Sequence, residues 1–485
     1  MGEQQRDLSP PPANSQRFTA QMESPCSARA LFDWHERPGA FERLCPPWDP
    51  VTVIHKDDHI RDGALAELRI KLPLGIPATL KVTHEGYIAG ERFVDRQLSG
   101  PFSYWRHVHS VSPGDEGGST LTDDIHYQLP LPPFGQLFGG ASARARLAQL
   151  FHYRHTTTRH DLQLHSAAGL LDKPNQKGLK VAVSGARGLI GAPLCALLST
   201  GGHEVVRLVR RPAQLGERAW PNPNELPELG DLDAVIHLAG ESVAQRWSPL
   251  KKQEILDSRV LRTRALAERI AELSRQGEPH PKTLICASAV GYYGDTGDDW
   301  VEESSPQGEG FLAEVCEAWE RACDPAREVG VRVVHVRVGI VLAPNGGALQ
   351  RLLPPFLLGG GGPVGHGRQM MSWVSLHDAV GAFYWALTQP EVEGALNAVG
   401  PEPVSSAEFA RTLGRVLRRP AIFPAPAFAL RLAFGEMADE ALLSGQRVKP
   451  SALLSSGYPM LHQTLEEALR FELGRVAPTR RPPSP

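Results

Sequence analysis

Residues 180–198 have the sequence Lys-Val-Ala-Val-Ser-Gly-Ala-Arg-Gly-Leu-Ile-Gly-Ala-Pro-Leu-Cys-Ala-Leu-Leu. Val181 and Val183 form a short β-branched run, which is typical of a buried strand. Three glycines follow at intervals of three residues: Gly185, Gly188 and Gly191. Residues 189–198 then have the apolar spacing of an amphipathic helix. The stretch therefore predicts a strand, a tight glycine turn and a helix.

This order suits the binding of a pyrophosphate group. The first glycine permits the tight turn, the second lets the backbone approach the phosphates, and the third lets the helix pack on the strand. The helix N-terminus adds unpaired N–H groups and the positive end of the helix dipole. Because a second strand follows at Glu204–Val209, we predict a dinucleotide site. Its lining residues are Gly185, Arg187, Gly188, Leu189, Ile190 and Gly191.

The end of the second strand should distinguish NAD from NADP. An acidic residue there binds the ribose 2′-hydroxyl of NAD, whereas arginine accommodates the 2′-phosphate of NADP. This strand is followed by Arg210 and Arg211, and Arg187 lies inside the glycine turn. We therefore predict NADP as the cofactor. The alternative is that these arginines form only a solvated basic strand end.

The composition of the 485-residue chain restricts its partners. With 51 basic and 54 acidic residues, the formal charge of −3 provides no footprint for nucleic acid or an anionic membrane. No apolar run approaches the roughly 18 residues of a membrane span, and the six cysteines include no C-x-x-C pair. We expect a cytoplasmic protein that binds a small-molecule ligand, with a homodimer left open.

The C-terminal part of the chain alternates between strand and helix patterns. Residues 233–240, Asp-Ala-Val-Ile-His-Leu-Ala-Gly, predict a buried parallel strand, and strands end at the ligand crevice of doubly wound sheets. The end of this strand therefore adds four residues to the predicted cofactor site: His237, Leu238, Ala239 and Gly240. We predict a Rossmann-type, doubly wound parallel α/β sheet over residues 179–415 and a small C-terminal module over residues 416–475.

The N-terminal part predicts an α+β domain over residues 26–165, with short alternating segments and a helix near residues 140–153. Three of its segments resemble a START-like, SRPBCC-type domain: residues 37–48, 100–109 and 151–155. The resemblance implies a helix-grip fold that in many relatives encloses an apolar cavity. Polar and proline-rich composition predicts disorder in residues 1–25 and 476–485, and a linker at residues 166–178.

Histidines recur in this N-terminal part. His107 and His109 alternate on one face of a predicted strand, and His126 lies on a neighbouring one. A metal site would need a further convergent ligand and an orienting outer shell. We therefore expect a hydrogen-bonded polar strand face and no metal.

The C-terminal part resembles the extended short-chain dehydrogenase/epimerase proteins, and more closely an atypical epimerase-like family within them. The resemblance rests on residues 184–191, 237–242, 288–294, 365–373, 419–426 and 445–450. It implies that Ser288 hydrogen-bonds a substrate oxygen during hydride transfer. It also implies that Arg368 grips an anionic group of the substrate, with Gln369 beside it.

The catalytic pair of the wider superfamily, Tyr-x-x-x-Lys, is missing. At that place the chain has Phe311 and Val315, and Arg259 replaces the usual helix asparagine. Replacement acids or bases are the phenols of Tyr292 and Tyr293 or the carboxylates of Glu302, Glu303 and Glu314.

Two functions stay open, and whether the chain is an enzyme stays open with them. One is an NADP-dependent oxidoreductase or epimerase acting on a small apolar or carbonyl-bearing ligand. The other is a non-catalytic NADP(H) sensor or ligand-binding scaffold.

Overall fold

The computed structural model describes residues 10–72, 75–130, 134–171 and 178–475. The predicted disordered tail, residues 476–485, lies outside the described residues, as do residues 1–9 and the part of the predicted linker at residues 172–177. The chain divides into an N-terminal unit, residues 1–176 with 199–201, and a C-terminal unit, residues 177–198 and 202–485. No helix in the described ranges has the length and apolar character needed to cross a bilayer.

The N-terminal unit contains a seven-stranded antiparallel sheet of order β1-β7-β6-β5-β4-β3-β2. Its strands are β1 (Gln16–Ser24), β2 (Thr52–Lys56), β3 (Leu65–Lys71), β4 (Pro77–Ile88), β5 (Arg92–Ser99), β6 (Tyr104–Pro113) and β7 (Ser119–Gln128). Its helices are α1 (Ala28–Glu36), α2 (Ala40–Arg43) and α3 (Phe134–Ala167). The predicted arrangement of an antiparallel sheet packed on a long helix is present.

Strand β1 lies within the stretch for which composition predicts disorder. It pairs with β7 along its full length, and Phe18 and Met22 point into the core. The apolar positions are few and widely spaced because the intervening residues are polar and face outward. The composition of the stretch therefore resembles that of a disordered tail, although its alternation is that of an edge strand.

Helix α3 has 34 residues and extends beyond the predicted helix, residues 140–153, at both ends. Its second half buries polar side chains, including His155 and Asp161, where an amphipathic pattern would place apolar ones. Asp161 forms a buried ion pair with Arg43 of α2, with 2.6 Å between Oδ1 and Nη2. Hydropathy alone could not identify this face because its buried groups are charged or polar.

The C-terminal unit is built on a seven-stranded parallel sheet of order β10-β9-β8-β11-β12-β14-β18. Its strands are β8 (Lys180–Ser184), β9 (Glu204–Val209), β10 (Glu217–Ala219), β11 (Ala234–His237), β12 (Thr283–Ala289), β14 (Arg332–Val338) and β18 (Gly394–Ala398). The order confirms a Rossmann-like fold, whose strand order reverses between β8 and β11 and so opens a ligand crevice there.

Shorter strands form three pairs outside this sheet: β13 (Trp300–Val301) with β20 (Arg447–Val448), β15 (Ile340–Leu342) with β17 (Trp373–Ser375), and β16 (Met370–Met371) with β19 (Val404–Ser405). The helices are α4 (Gly191–Thr200), α5 (Pro249–Arg275), α6 (Phe311–Arg321), α7 (Asp324–Arg327), α8 (Gly347–Leu357), α9 (Leu376–Thr388), α10 (Ser406–Leu417), α11 (Ala427–Phe434), α12 (Ser451–Ser455) and α13 (Leu465–Glu472). The last three helices belong to the predicted C-terminal module.

Helix α13 ends in a fully buried carboxyl group, that of Glu472. Its Oε1 lies 3.3 Å from Nδ1 of His377 on α9. Burial raises the pKa of Glu472 to about 8, although the neighbouring His462 acts to lower it. The folded chain therefore holds this carboxyl protonated at neutral pH.

We expect this group to make stability fall as the pH rises from about 5 to 8. The unfolded carboxyl ionises near pH ~4.3, so over this interval the unfolded state binds fewer protons than the folded state. One proton corresponds to a slope of about 1.4 kcal/mol per pH unit. Chemical unfolding of the full chain and of Glu472→Gln at several pH values should show the parent losing stability relative to the variant. Parallel curves would mean that Glu472 is ionised in the folded state.

Candidate functional site

The glycine turn between β8 and α4 combines close backbone packing with one open position. Gly185 has a φ of +67°, and a Cβ there would lie 3.0 Å from the carbonyl carbon of Leu238. A Cβ on Gly191 would lie 2.2 Å from the Gly185 oxygen, so neither position admits a side chain. At Gly188 the nearest atom would be 3.1 Å away, again the Gly185 oxygen. The turn therefore leaves space beside Gly188.

Unused N–H groups lie beside this space. Within the part of the chain that the structure describes, the N–H groups of Leu189 and Ile190 donate to no protein acceptor. They immediately precede the first residue of α4, where the helix dipole favours an anion. These groups fit a pyrophosphate.

The ends of β8 and β11 are tied together across the crevice. Ser184 Oγ accepts hydrogen bonds from the N–H groups of Leu238 at 3.1 Å and Ala239 at 3.3 Å, and it lies 2.7 Å from Nδ1 of His237. His237 is fully buried, which lowers its pKa to about 3 and keeps the ring neutral. Its Nδ1 therefore accepts the Ser184 proton. His237 thus positions the backbone that lines the crevice.

A half-buried arginine lies beside the last residue of this segment. A Cβ on Gly240 would be 3.1 Å from Cζ of Arg259 on α5. Arg259 donates to the Ile255 carbonyl at 3.1 Å and lies over the Trp319 ring at 5.0 Å. Burial lowers its pKa. Sequence reasoning recognised Arg259 only as a replacement for asparagine and did not place it beside the crevice.

Two of the three predicted 2′-phosphate arginines share one carboxylate. Glu217 on β10 lies 2.7 Å from Arg211 and 3.3 Å from Arg187. The N–H of Gln214, with these arginines, lowers the pKa of Glu217. Arg210 is exposed and makes no side-chain hydrogen bond or ion pair among the described residues. The sequence did not predict the position of Glu217, because its strand β10 has only three residues, too few to show a strand pattern.

Three polar residues form a row across the sheet at the ends of neighbouring strands. Ser288 of β12 pairs in register with Arg337 of β14, which pairs with Asn397 of β18. Each is the penultimate residue of its strand. Because the strands are parallel, all three lie at the carboxyl edge, where ligands bind in such sheets.

Glu320 of α6 joins this row through buried hydrogen bonds. Ser288 Oγ donates to Glu320 Oε1 at 2.7 Å, and Arg337 donates to both carboxylate oxygens at 2.8 Å. Burial alone would lower the pKa of Arg337. The hydrogen bonds and the negative charge of Glu320 have the larger effect, so the pKa of Arg337 is raised overall. Ser288 is itself buried, and its proton is engaged by Glu320.

The two predicted tyrosines have different surroundings. Tyr293 is buried, and its hydroxyl donates to Asn397 Oδ1 at 2.8 Å and accepts from Arg337 Nη1 at 3.0 Å. Tyr292 is half-buried, and its ring lies against the Arg337 guanidinium, 3.5 Å from Cζ to the centroid. Burial raises the pKa of both phenols. Both are therefore protonated at neutral pH.

The positions of the missing Tyr-x-x-x-Lys pair carry apolar side chains. Phe311 is the first residue of α6, and its ring contacts Trp247 at 5.0 Å and the Lys252 ammonium at 4.4 Å. Val315 is buried one turn later. A pocket of about 360 Å³ lies here, lined in part by Trp247, Lys252, Leu256, Phe311 and Glu436. Lys252 Nζ is paired with Glu436 at 2.7 Å.

The predicted substrate residues also differ from one another. Arg368 is exposed, and its backbone N–H donates to His366 Nδ1 at 3.0 Å, whereas its guanidinium makes no hydrogen bond to any described residue. Gln369 is buried, and its amide donates to the carbonyls of Val364 and Leu442, both at 3.0 Å. Gln369 therefore anchors the loop, whereas Arg368 is accessible to a ligand.

Of the three predicted carboxylate bases, two are exposed, Glu302 and Glu314. Glu303 is half-buried and accepts from the N–H groups of Asn397 at 3.0 Å and Ala452 at 3.1 Å. Burial raises the pKa of Glu303, although these N–H groups oppose the shift. Its position near Asn397 links it to the edge of the polar row.

The parallel sheet and the glycine turn at its switch point define a Rossmann-like, dinucleotide-binding class of protein. Residues 181–399 match the NAD dependent epimerase/dehydratase family, and residues 425–472 match a domain of unknown function, DUF1731. The chain belongs to the NAD dependent epimerase/dehydratase family.

Three relatives show how far this similarity extends. The epimerase family protein Mb2239 of Mycobacterium bovis is 46% identical over 300 residues, which cover 61% of this chain and 98% of that protein. The crystal structure of the nucleoside-diphosphate sugar epimerase from Corynebacterium glutamicum has a TM-score of 0.75 at 34% identity, covering 94% of this chain and 90% of that one. The structure of human epimerase family protein SDR39U1 (isoform 2) with NADPH has a TM-score of 0.56 at 34% identity, covering 61% of this chain and 100% of that one.

Proposed function

We propose that the C-terminal unit binds NADP(H), with the pyrophosphate on the glycine turn and the 2′-phosphate beside Arg187 and Arg211. The observation that carries this proposal is the free backbone surface at Gly188, Leu189 and Ile190 next to a basic strand end. The NADPH in the structure of the human relative supports the same choice of cofactor.

The discrimination between NADPH and NADH should depend on Arg211. Removing a charge-assisted hydrogen bond to the phosphate costs about 1.5–3 kcal/mol, or roughly ten- to a hundredfold in affinity. Arg211→Ala should weaken NADPH binding by this factor and leave NADH binding unchanged, as measured by fluorescence titration. Arg210→Ala should have a smaller effect of the same kind, because the proposed position of the 2′-phosphate lies beside Arg187 and Arg211.

Two further variants sharpen this test. Glu217→Gln removes the carboxylate that competes for Arg187 and Arg211, so NADPH should bind more tightly. Arg218→Ala is the matched control, because Arg218 lies on the same short strand but pairs with Asp231 at 2.6 Å. Equal losses of NADPH and NADH affinity in Arg211→Ala would remove the assignment of the 2′-phosphate.

We further propose that the unit is an oxidoreductase or epimerase acting on a small apolar or carbonyl-bearing ligand. NADP(H) supplies a hydride when bound. Ser288, oriented by Glu320, accepts a hydrogen bond from a substrate hydroxyl, and Tyr292 holds the proton that a reduced carbonyl oxygen needs. Arg368 is the proposed contact for an anionic group of the substrate.

A non-catalytic NADP(H) sensor or scaffold is the second function, and the placement of Phe311 and Val315 favours it. Neither side chain can exchange a proton, and Lys252 nearby is already paired with Glu436. The two functions differ in a single-turnover measurement of NADPH oxidation with the ligand that co-purifies with the chain. A sensor binds NADPH and that ligand without oxidising the cofactor.

For the N-terminal unit we propose a START-like, ligand-capturing domain. The seven-stranded antiparallel sheet and the long helix α3 support a helix-grip arrangement. A pocket of about 440 Å³ lies at the β5–β6 connection, lined in part by Gln97, Phe102 and Trp105. Mass spectrometry of the purified full chain would identify a retained ligand.

A further inference from the structure

Six side chains of the N-terminal unit form a cluster of histidines around two carboxylates. These are His84 of β4, Asp95 of β5, His107 and His109 of β6, Asp123 of β7 and His155 of α3. Strand register brings the sheet residues together, because Asp95 pairs with both His84 and His107, and His109 pairs with Asp123. His126 lies on the neighbouring strand, as predicted, but it points to the opposite face of β7 and is outside this cluster.

Three ligand atoms of this cluster converge on one point. Asp95 Oδ2 lies 3.3 Å from His109 Nε2 and 3.8 Å from His107 Nδ1. The donor atoms of the three residues lie within 4.8 Å of one another. Asp95 is the convergent third ligand that the sequence did not reveal. Two imidazoles and one carboxylate form a common site for divalent transition metals.

A second carboxylate lies behind the two imidazoles. Asp123 Oδ1 is 2.8 Å from His107 Nε2 and 2.8 Å from His109 Nδ1, which are the ring nitrogens facing away from Asp95. Asp123 Oδ2 is in turn 2.6 Å from His155 Nε2. Metal-binding histidines characteristically direct their second nitrogen to such a carboxylate, which fixes the tautomer and the ring orientation.

The first carboxylate has an outer neighbour as well. His84 Nδ1 lies 2.8 Å from Asp95 Oδ1, the oxygen that does not face the imidazoles, although the two atoms do not form an aligned hydrogen bond. The Asp95 side chain is 25% exposed, whereas that of His107 is 2% exposed.

The tautomer of His109 decides whether this arrangement is satisfied without a metal. With its N–H group on Nε2, His109 donates to Asp95 Oδ2 at 3.3 Å. If both histidines instead direct their single N–H group toward Asp123, their other nitrogens present lone pairs to Asp95. Three electron-pair donors then face one another inside the protein, and the two imidazole centroids are only 3.7 Å apart. In that state the group of donors requires a cation.

We propose that Asp95, His107 and His109 bind one divalent transition-metal ion, with Asp123 as the carboxylate that orients both imidazoles. Three protein ligands leave at least one coordination position for water or for an oxygen of a bound ligand. The site lies within the N-terminal unit and is independent of the proposed NADP(H) site. The competing occupant is a second proton on His109, which would bridge Asp95 and Asp123 without a metal.

The proposal is tested with Co²⁺ and Zn²⁺ on the untagged full chain. After treatment with a chelator, the parent should bind one equivalent of Co²⁺, give visible d–d absorption, and release Co²⁺ when Zn²⁺ is added. Asp95→Asn keeps the size of the side chain at a partly exposed position and should abolish the absorption. Asp123→Asn should reduce the affinity ~10–100-fold, as expected for the partner of a ligand.

His126→Ala is the matched control, because it removes a histidine from the other face of the same sheet and should leave Co²⁺ binding unchanged. Circular dichroism with thermal unfolding, measured in parallel, reports whether each variant retains a folded N-terminal unit. A parent that binds no Co²⁺ would establish the proton as the occupant and overturn the proposal. Unchanged Co²⁺ binding in Asp95→Asn would do the same, because it would place the metal elsewhere.

Discussion

Gly188→Val is expected to abolish NADPH binding while leaving the chain folded. The nearest atom to a Cβ at this position is the Gly185 oxygen at 3.1 Å, so a small adjustment admits the side chain. The valine would then occupy the space beside the free N–H groups of Leu189 and Ile190, where we place the pyrophosphate. Fluorescence titration with NADPH measures the loss, and circular dichroism with thermal unfolding measures the integrity of the fold.

Gly191→Ala provides the contrasting control for this experiment. Its Cβ would lie 2.2 Å from the Gly185 oxygen, so this variant should destabilise the turn itself and lower the melting temperature. A Gly188→Val variant that binds NADPH as the parent does would show that the pyrophosphate lies elsewhere. A variant that loses binding only because it unfolds would behave like Gly191→Ala.

The second large effect is expected at Tyr292. If hydride transfer occurs, Tyr292→Phe should lower turnover by roughly 10²–10⁴-fold, the range usual for a positioned acid. Burial raises the pKa of this phenol, so it stays protonated at neutral pH and favours carbonyl reduction over alcohol oxidation. Single-turnover oxidation of NADPH with the co-purified ligand or a panel of small carbonyl compounds measures the loss.

Tyr293→Phe separates proton donation from structural support. The Tyr293 hydroxyl bonds to Arg337 and Asn397, so its removal should cost about 1–3 kcal/mol of stability through unpaired buried groups. We expect its turnover to remain within about tenfold of the parent, well short of the loss for a positioned acid. Unchanged turnover in Tyr292→Phe would eliminate the tyrosine proposal. A parent that binds NADPH tightly but never oxidises it would favour the sensor.

The Rossmann part of the fold could be predicted because its signals are local. The glycine spacing after Val181 and Val183, and the apolar strand at residues 233–240, each lie within one short stretch. Strand β1 could not be predicted in the same way, because a polar edge strand differs little in composition from a disordered terminus.

The polar row at the carboxyl edge shows what sequence reasoning missed. Ser288 was identified by resemblance, but its partners Glu320, Arg337 and Asn397 lie on separate elements that only strand register and helix packing bring together. The one available signal was Arg337 itself, a charged residue inside the valine-rich strand at Arg332–Val338. A buried charge of this kind indicates a partner.

The same reason explains why the sequence did not reveal Asp95 as the third ligand of the proposed metal site in the N-terminal unit. The alternation of His107 and His109 is visible in the sequence, whereas Asp95 becomes their neighbour only through the pairing of β5 with β6. Strand register depends on the hydrophobic pattern together with the geometry of the connecting turn, and the conformation of the turn between β5 and β6 is known only from the structure.

The central claim is that NADP(H) binds on the glycine turn with its 2′-phosphate at the basic strand end. A crystal structure of the full chain with NADPH tests this most directly. We predict pyrophosphate oxygens within hydrogen-bonding distance of the N–H groups of Leu189 and Ile190, and the 2′-phosphate in contact with Arg211. A dinucleotide bound away from Gly188, or a 2′-phosphate that contacts none of Arg187, Arg210 and Arg211, would contradict the claim.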